Sequence, residues 1–105
     1  PCLSGCFMFL RVSALQEVGI FDERYFLYGE DTDLSRRIHQ RYKTVYLPEI
    51  SITHVFRKTS YKSLKMTLIH LRSMIQYFNK WGWLFDKERT NINLRTLEKL
   101  KKDDN

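Results

Sequence analysis

The 105-residue chain has only two cysteines, two prolines and four glycines, and it has no long apolar run. Cys2 and Cys6 exclude a disulfide framework, because four residues of extended chain part them by roughly 13 Å, about twice the Cα separation a disulfide tolerates. The sequence therefore reads as that of a protein from a reducing compartment. The longest unbroken apolar run, Cys6 to Leu10, falls far short of the roughly 20 residues needed to cross a bilayer, so any membrane attachment is expected at the surface. No basic segment followed by an apolar one stands at Pro1, and no secretory signal is read there. Repeats, Gly/Ser linkers and low-complexity blocks are absent too. With 43% apolar and 14% aromatic residues, most of the chain is expected to be ordered around a modest single core. One domain's worth of chain is too little for most complete nucleotide-dependent enzymes.

Charge is plentiful and unevenly placed. The formal net charge is +6, yet residues 1–56 hold six Lys/Arg against seven Asp/Glu, whereas residues 57–105 hold twelve against five. Any partner drawn by positive charge belongs to the second part.

Residues 5–11 are apolar on both faces, as in a strand covered on both sides. Ser13 suits the N-cap of a short helix through Val18, with Gly19 at its stop. Residues 20–29 mix aromatics with charges and have no period, and they read as a packed loop. Glu30, Asp31 and Asp33 load acid onto the first turn of a helix to about Arg41, with Arg36, Arg37 and Arg41 near its end, the polarity a helix dipole favours. Residues 43–47 and 50–55 are β-branched segments interrupted at Pro48, read as two short strands or one bent strand. From Ser60, Leu64, Leu68, Leu71, Ile75 and Phe78 recur at steps of four and three, a stripe of about five turns ending near Trp81-Gly82-Trp83. Leu94, Leu97 and Leu100 suggest a last short helix before a frayed tail over residues 101–105.

The densest carboxylate cluster is Glu30, Asp31 and Asp33. On a helix Glu30 and Asp33 share a face, while Asp31 at the loop-to-helix corner, with Gly29 two residues before it, suits a general base. The same acids also suit a structural role, satisfying free N–H groups or pairing Asp33 with Arg36 or Arg37. His54, at the end of an apolar segment and followed by Arg57 and Lys58, is a candidate metal ligand or a hydrogen-bonded structural residue. His39 and His70 have no Cys/His partner at ligand spacing and read as structural.

The order of these pieces matters more than any one of them. Gly5, Met8 and Arg11, then Val18-Gly19 with Phe21-Asp22-Glu23, then Phe26, Tyr28-Gly29-Glu30-Asp31, Asp33-Leu34 and Arg37, then Pro48, then His54 and Ser60, together resemble the C-terminal half of family 2 glycosyltransferases, most closely the bacterial rhamnosyltransferase-like members. The resemblance covers roughly residues 4–60. It implies an α/β fold of the GT-A type, of which this chain would be the acceptor-side portion, with few short strands, flanking helices and a long amphipathic helix. It also implies a division into an acceptor-side part carrying the base (1–58), the long helix packing on it (59–83) and a polar C-terminal extension (84–105). By position, Asp31 is implied as the base that takes the proton of an acceptor hydroxyl during inverting transfer from a nucleotide sugar. Glu30 and Asp33 are implied as substrate-binding groups, and Lys58, or Arg57 beside it, reads as a substrate-binding contact to the diphosphate or as a solvated charge. His54 matches a histidine that completes the coordination of a divalent metal, manganese or magnesium, whose other ligands would lie outside the chain. The acceptor would be a glycan or a lipid-linked sugar, and the location cytoplasmic or at the cytoplasmic face of the inner membrane.

Three departures refine this. No Asp-x-Asp remains free to hold a nucleotide-bound metal, because Asp31-Thr32-Asp33 belongs to the acceptor-side motif, and no nucleotide-binding βαβ unit is visible. A Gln-x-x-Arg-Trp motif is absent as well, which points to single-sugar transfer rather than a processive synthase. In the basic half, Lys62, Lys65, Arg72 and Lys80 together with Trp81 and Trp83 admit peripheral membrane contact through residues 61–83, but the favoured expectation is that the apolar stripe packs on the rest of the protein. A non-enzymatic basic helical module binding a membrane surface or nucleic acid is the alternative, although no nucleic-acid motif is present and none is expected as a partner.

Overall fold

A computed structural model describes residues 2–55 and 63–103. The elements are four helices, α1 (Val12–Val18), α2 (Glu30–His39), α3 (Leu64–Trp81) and α4 (Lys87–Asp103). Among the described residues there is no β-strand, which corrects the α/β expectation. The three segments read as strands, 5–11, 43–47 and 50–55, are irregular. The physical reason is that apolar, β-branched composition marks a backbone fit for a half-buried pleated surface, whereas a strand forms only where a second strand takes up its N–H and C=O groups. No described segment offers that ladder, and the apolar side chains stay outside: Phe9 is 97% and Val55 77% exposed.

The helices arise close to where local signals put them. α2 has Glu30, Asp31 and Asp33 in its first turn and Arg36, Arg37 and His39 in its last, matching its dipole at both ends. α1 starts one residue before the expected cap. Its N-cap is Arg11, without a side-chain cap bond, and Ser13 lies inside the helix. At its end the Gly19 N–H donates to the Leu15 carbonyl at 2.8 Å. α4 is longer than the short helix expected, 17 residues reaching Asp103.

The apolar core is small: Leu34 and Ile38 of α2, Ala14 of α1, and Tyr25 from the loop before α2. Glu17 of α1 ties down the end of α2 by accepting bonds from Arg41 and the Tyr42 hydroxyl. α3 then lies across the loop and α2, but not on its leucine stripe. Leu64, Leu68, Leu71 and Ile75 are exposed, contrary to the packing expected of them. The inward face carries His70, Ser73, Tyr77, Lys80 and Trp81, spaced by three and four residues. His70 stacks on Tyr28 with centroids 4.7 Å apart. The Ser73 hydroxyl donates to the Leu27 carbonyl at 2.6 Å. No helix among the described residues is long and apolar enough to cross a membrane.

Polar contacts carry much of this assembly. Arg36 grips Asp86 through two nitrogens at 2.6 Å each and reaches Glu88 at 2.8 Å, anchoring the start of α4 to α2, while its guanidinium lies 4.3 Å from the centre of the Trp81 ring. Burial disfavours the Arg36 charge, but the bonds to Asp86, Tyr77 and Glu88 outweigh it and raise its pKa. The Cα radius of gyration is 15.6 Å, against about 13 Å for a compact chain of this length. That expansion agrees with the apolar surface left open.

Candidate functional site

The candidate site is built on the corner that leads into α2. Tyr28 has φ of 68°, a left-handed conformation rarely taken by a bulky residue. Gly29 follows with φ of 85°, and a Cβ there would also sit 3.4 Å from the Tyr25 ring. Two successive left-handed residues turn the chain sharply, so the helix begins at once with Glu30 and Asp31, both half-buried, in its first turn. The Tyr28 ring, stacked on His70, and the Ser73 bond to Leu27 pin this turn against α3.

Asp31 is half-buried and oriented by two backbone donors. Its Oδ2 accepts the Gly5 N–H at 2.9 Å and its Oδ1 the Thr32 N–H at 2.8 Å. A Cβ at Gly5 would stand 3.4 Å from Oδ2, at the near edge of van der Waals contact, so the backbone at Gly5 passes close to the carboxylate. Each carboxylate oxygen has more than one acceptor position, so both can still meet a substrate proton. Nearby, Leu3 and the Ser35 hydroxyl exchange bonds at 2.9 and 3.3 Å. Sequence motifs 26 residues apart, at Gly5 and Asp31, thus meet at one point.

The other candidates fall in different surroundings. Glu30 is half-buried, and its Oε2 is buried without a hydrogen-bond partner among the described residues. Asp33 is fully buried. Its Oδ2 accepts Arg37 Nε at 2.9 Å, and its Oδ1 meets Trp81 Nε1 at 2.8 Å and Lys80 Nζ at 2.7 Å. Of the two arginines read as partners for Asp33, it is Arg37 that pairs, and Arg37 also donates to the carbonyls of Val18, Gly19 and Ile20. His54 is exposed in an irregular segment, and it is not brought beside Asp31. Lys58, like Arg57, lies outside the described residues. Among the described residues no three His, Cys, Asp or Glu groups converge as a metal site would require.

Sequence reasoning missed the support beneath Asp33. Lys80 also bonds Asp22 at 2.8 Å, and Arg24 clamps Asp22 at 2.7 Å. The Arg24 bonds hold Asp22 below the usual carboxylate range against the effect of burial, and Lys80 adds to them. Tyr25 is buried with its hydroxyl unpartnered among the described residues, and burial, with the Asp33 and Asp22 charges adding, pushes its pKa up to about 12. The available signal was chemical: Lys80 and Trp81 are the last two residues of a helix that otherwise shows an apolar stripe. Trp83, the other tryptophan considered for a membrane interface, stacks on Phe78 at 5.1 Å and is half-exposed.

Beside the corner, residues 23–26 and α3 enclose a groove of about 450 Å³ lined by Glu23, Arg24, Phe26, Ile69, Arg72 and Gln76. A second hollow of about 440 Å³ shares Ile69 and Arg72 and adds Leu64, Lys65 and Leu68.

Half of the chain is similar to a glycosyltransferase. The relative, found in two strains of Mycobacterium tuberculosis, is N-acetylglucosaminyl-diphospho-decaprenol L-rhamnosyltransferase, 45% identical over 53 residues. Those residues are 50% of this chain and 17% of the relative, so the chain matches about a sixth of the length of that enzyme. No family model matches the chain, and no solved structure matches it.

Proposed function

We propose that the chain is the acceptor-side part of an inverting glycosyltransferase of the family 2 type, with Asp31 as the general base. The observation that carries this reading is the 45% identity over 53 residues to a rhamnosyltransferase. The geometry of Asp31 supports its role. Two backbone donors fix its carboxylate while leaving it half-open at a strained corner, which is the placement a base needs to meet a hydroxyl. The donor would be a nucleotide sugar and the acceptor a glycan or lipid-linked sugar. The latter accords with the relative, whose name specifies a sugar diphosphate on decaprenol.

In the proposed step the acceptor hydroxyl gives its proton to Asp31 as its oxygen bonds the anomeric carbon. The bond from that carbon to the diphosphate oxygen breaks, its electron pair leaves with the nucleoside diphosphate, and the configuration inverts. Glu30 would orient the acceptor beside Asp31, and Lys58 is proposed as a contact to substrate. A divalent metal would neutralise charge on the departing diphosphate. The described residues do not by themselves make a site for it, so His54 is proposed as a single contributed ligand.

The test is Asp31→Asn in the full-length protein. General-base help is worth roughly 10²- to 10⁴-fold, so transfer should fall by that factor while nucleotide-sugar binding, measured by calorimetry, stays near wild type. Transfer within about twofold of wild type would remove Asp31 as the base.

A further inference from the structure

The groove beside the corner has a chemistry that neither the helix dipoles nor the core explains. Along α3, Lys65 and Arg72 stand seven residues apart, two turns, on the flank of the exposed leucine stripe. Both are exposed, and neither meets an ion-pair partner among the described residues. By contrast Arg24, Arg36, Arg37 and Arg41 are all paired with carboxylates. Between and beside the two free cations lie Leu64, Leu68 and Ile69, and Phe26 comes across from the loop. The surface thus offers a free cation on either side of apolar side chains, with Glu23 the one carboxylate in the lining.

We infer that this groove binds an isoprenoid diphosphate, with the diphosphate between Lys65 and Arg72 and the prenyl chain along Leu64, Leu68 and Ile69. Charge complementarity selects the anion, since two unpaired cations on long side chains two turns apart suit the several anionic oxygens of a diphosphate, and a guanidinium forks onto phosphate oxygens. The apolar floor selects an amphiphile over a soluble phosphate, because each buried methylene adds favourable transfer free energy. The choice of a lipid-linked diphosphate rests on the transferase reading. Under that reading the site holds the carrier end of the acceptor while the sugar reaches towards Asp31. The connection is structural: Ser73 lines the groove and also bonds Leu27, four residues before Asp31, so headgroup and base are held by one stretch of α3 and its loop.

The experiment measures binding of geranylgeranyl diphosphate to the full-length protein by calorimetry, with inorganic diphosphate and detergent-dispersed geranylgeraniol as separate probes. Geranylgeranyl diphosphate should bind at least roughly tenfold tighter than either. Replacing Lys65→Gln and Arg72→Gln together should weaken it by about tenfold, the scale of one good polar contact. Leu68→Asn should weaken geranylgeranyl diphosphate but leave inorganic diphosphate unchanged. All three positions are exposed, where substitutions seldom unfold a protein. Equal affinity for inorganic diphosphate, or no effect of either variant, would overturn the site. So would equal binding to phosphatidylglycerol vesicles free of isoprenoid, which would make it a general anionic-membrane surface. Asp31→Asn carried through the same assay separates the two readings: retained binding with wild-type transfer removes the base assignment alone, lost binding and reduced transfer in Lys65→Gln/Arg72→Gln supports the groove, and lost binding in that variant with transfer intact removes the groove as the acceptor's site.

Discussion

Asp31 and Asp33 stand two residues apart in the same helical turn and do opposite things. Asp33 is sealed beneath Arg37, Lys80 and Trp81, whereas among the described residues Asp31 accepts hydrogen bonds only from the Gly5 amide and from the Thr32 amide and hydroxyl. Removing one partner of a buried ionic cluster leaves the others uncompensated, at a cost of about 3–5 kcal/mol. Asp33→Asn should therefore shift the urea midpoint strongly. Asp31→Asn, which keeps an acceptor for the Gly5 amide, should cost at most about 1 kcal/mol. A large loss of stability in Asp31→Asn would mean that any loss of transfer in that variant reports folding rather than chemistry. Asp86 gives the matching pH dependence. The Arg36 bonds lower its pKa to about 2 despite burial, below the unfolded value of about 3.9. A depressed carboxylate contributes stability that is complete above the unfolded value and is lost as pH falls through the folded one. Melting temperatures should hold from neutral pH down to about 5 and drop steeply between about 4 and 2, a loss of about 2 kcal/mol from this group. Asp86→Asn should be less stable at neutral pH, because it leaves Arg36 buried without its main counter-charge, and should show a shallower acid drop.

At the scale of the element, α3 separates what sequence period reveals from what it does not. The repeat of Leu64, Leu68, Leu71, Ile75 and Phe78 makes the helix legible and places its end at Trp81, because a 3.6-residue period belongs to one backbone alone. The period says where an apolar face is, not what covers it. In the structure the face that packs is the one with His70, Ser73, Tyr77, Lys80 and Trp81, whose partners on the loop and α2 are hydrogen bonds, a ring stack and ion pairs. Such partners are 41 to 58 residues distant in sequence, and no local signal announces them. The strand expectation failed for the related reason that pairing is a property of two segments, and composition describes only one. The corner at Asp31 was legible because its glycine, its acids and its helix start are all local. Stability measurements can tell the two faces of α3 apart. Ser73→Ala removes a buried 2.6 Å bond to Leu27 and should cost about 1 kcal/mol. Leu71→Ser, on the exposed stripe, should stay within about 0.5 kcal/mol of wild type. The reverse order in chemical denaturation would show that the stripe is covered in solution.

For the whole molecule, the small core and the expanded radius have a thermodynamic consequence. The heat capacity of unfolding comes chiefly from apolar surface newly exposed to water, about 12–15 cal/mol/K per residue for ordinary domains, which for 105 residues corresponds to about 1.4 kcal/mol/K. Here only Ala14, Tyr25, Leu34 and Ile38 are buried apolar side chains among the described residues, while Phe9, Ile50, Val55, Leu64, Leu84 and Phe85 already face solvent in the folded chain. Unfolding the 105-residue chain should therefore give a heat capacity change well below that figure, with a flatter stability curve and a denaturant slope reduced in the same proportion, since both scale with the surface exposed. Scanning calorimetry at neutral pH measures the first quantity directly. A value near 1.4 kcal/mol/K would mean that the leucine stripe and the extended apolar segments find cover in solution, from a second copy of the chain if the value rises with protein concentration. A low value that rises when geranylgeranyl diphosphate is present would place the added burial on the ligand and tie the open α3 surface to the groove at Lys65 and Arg72.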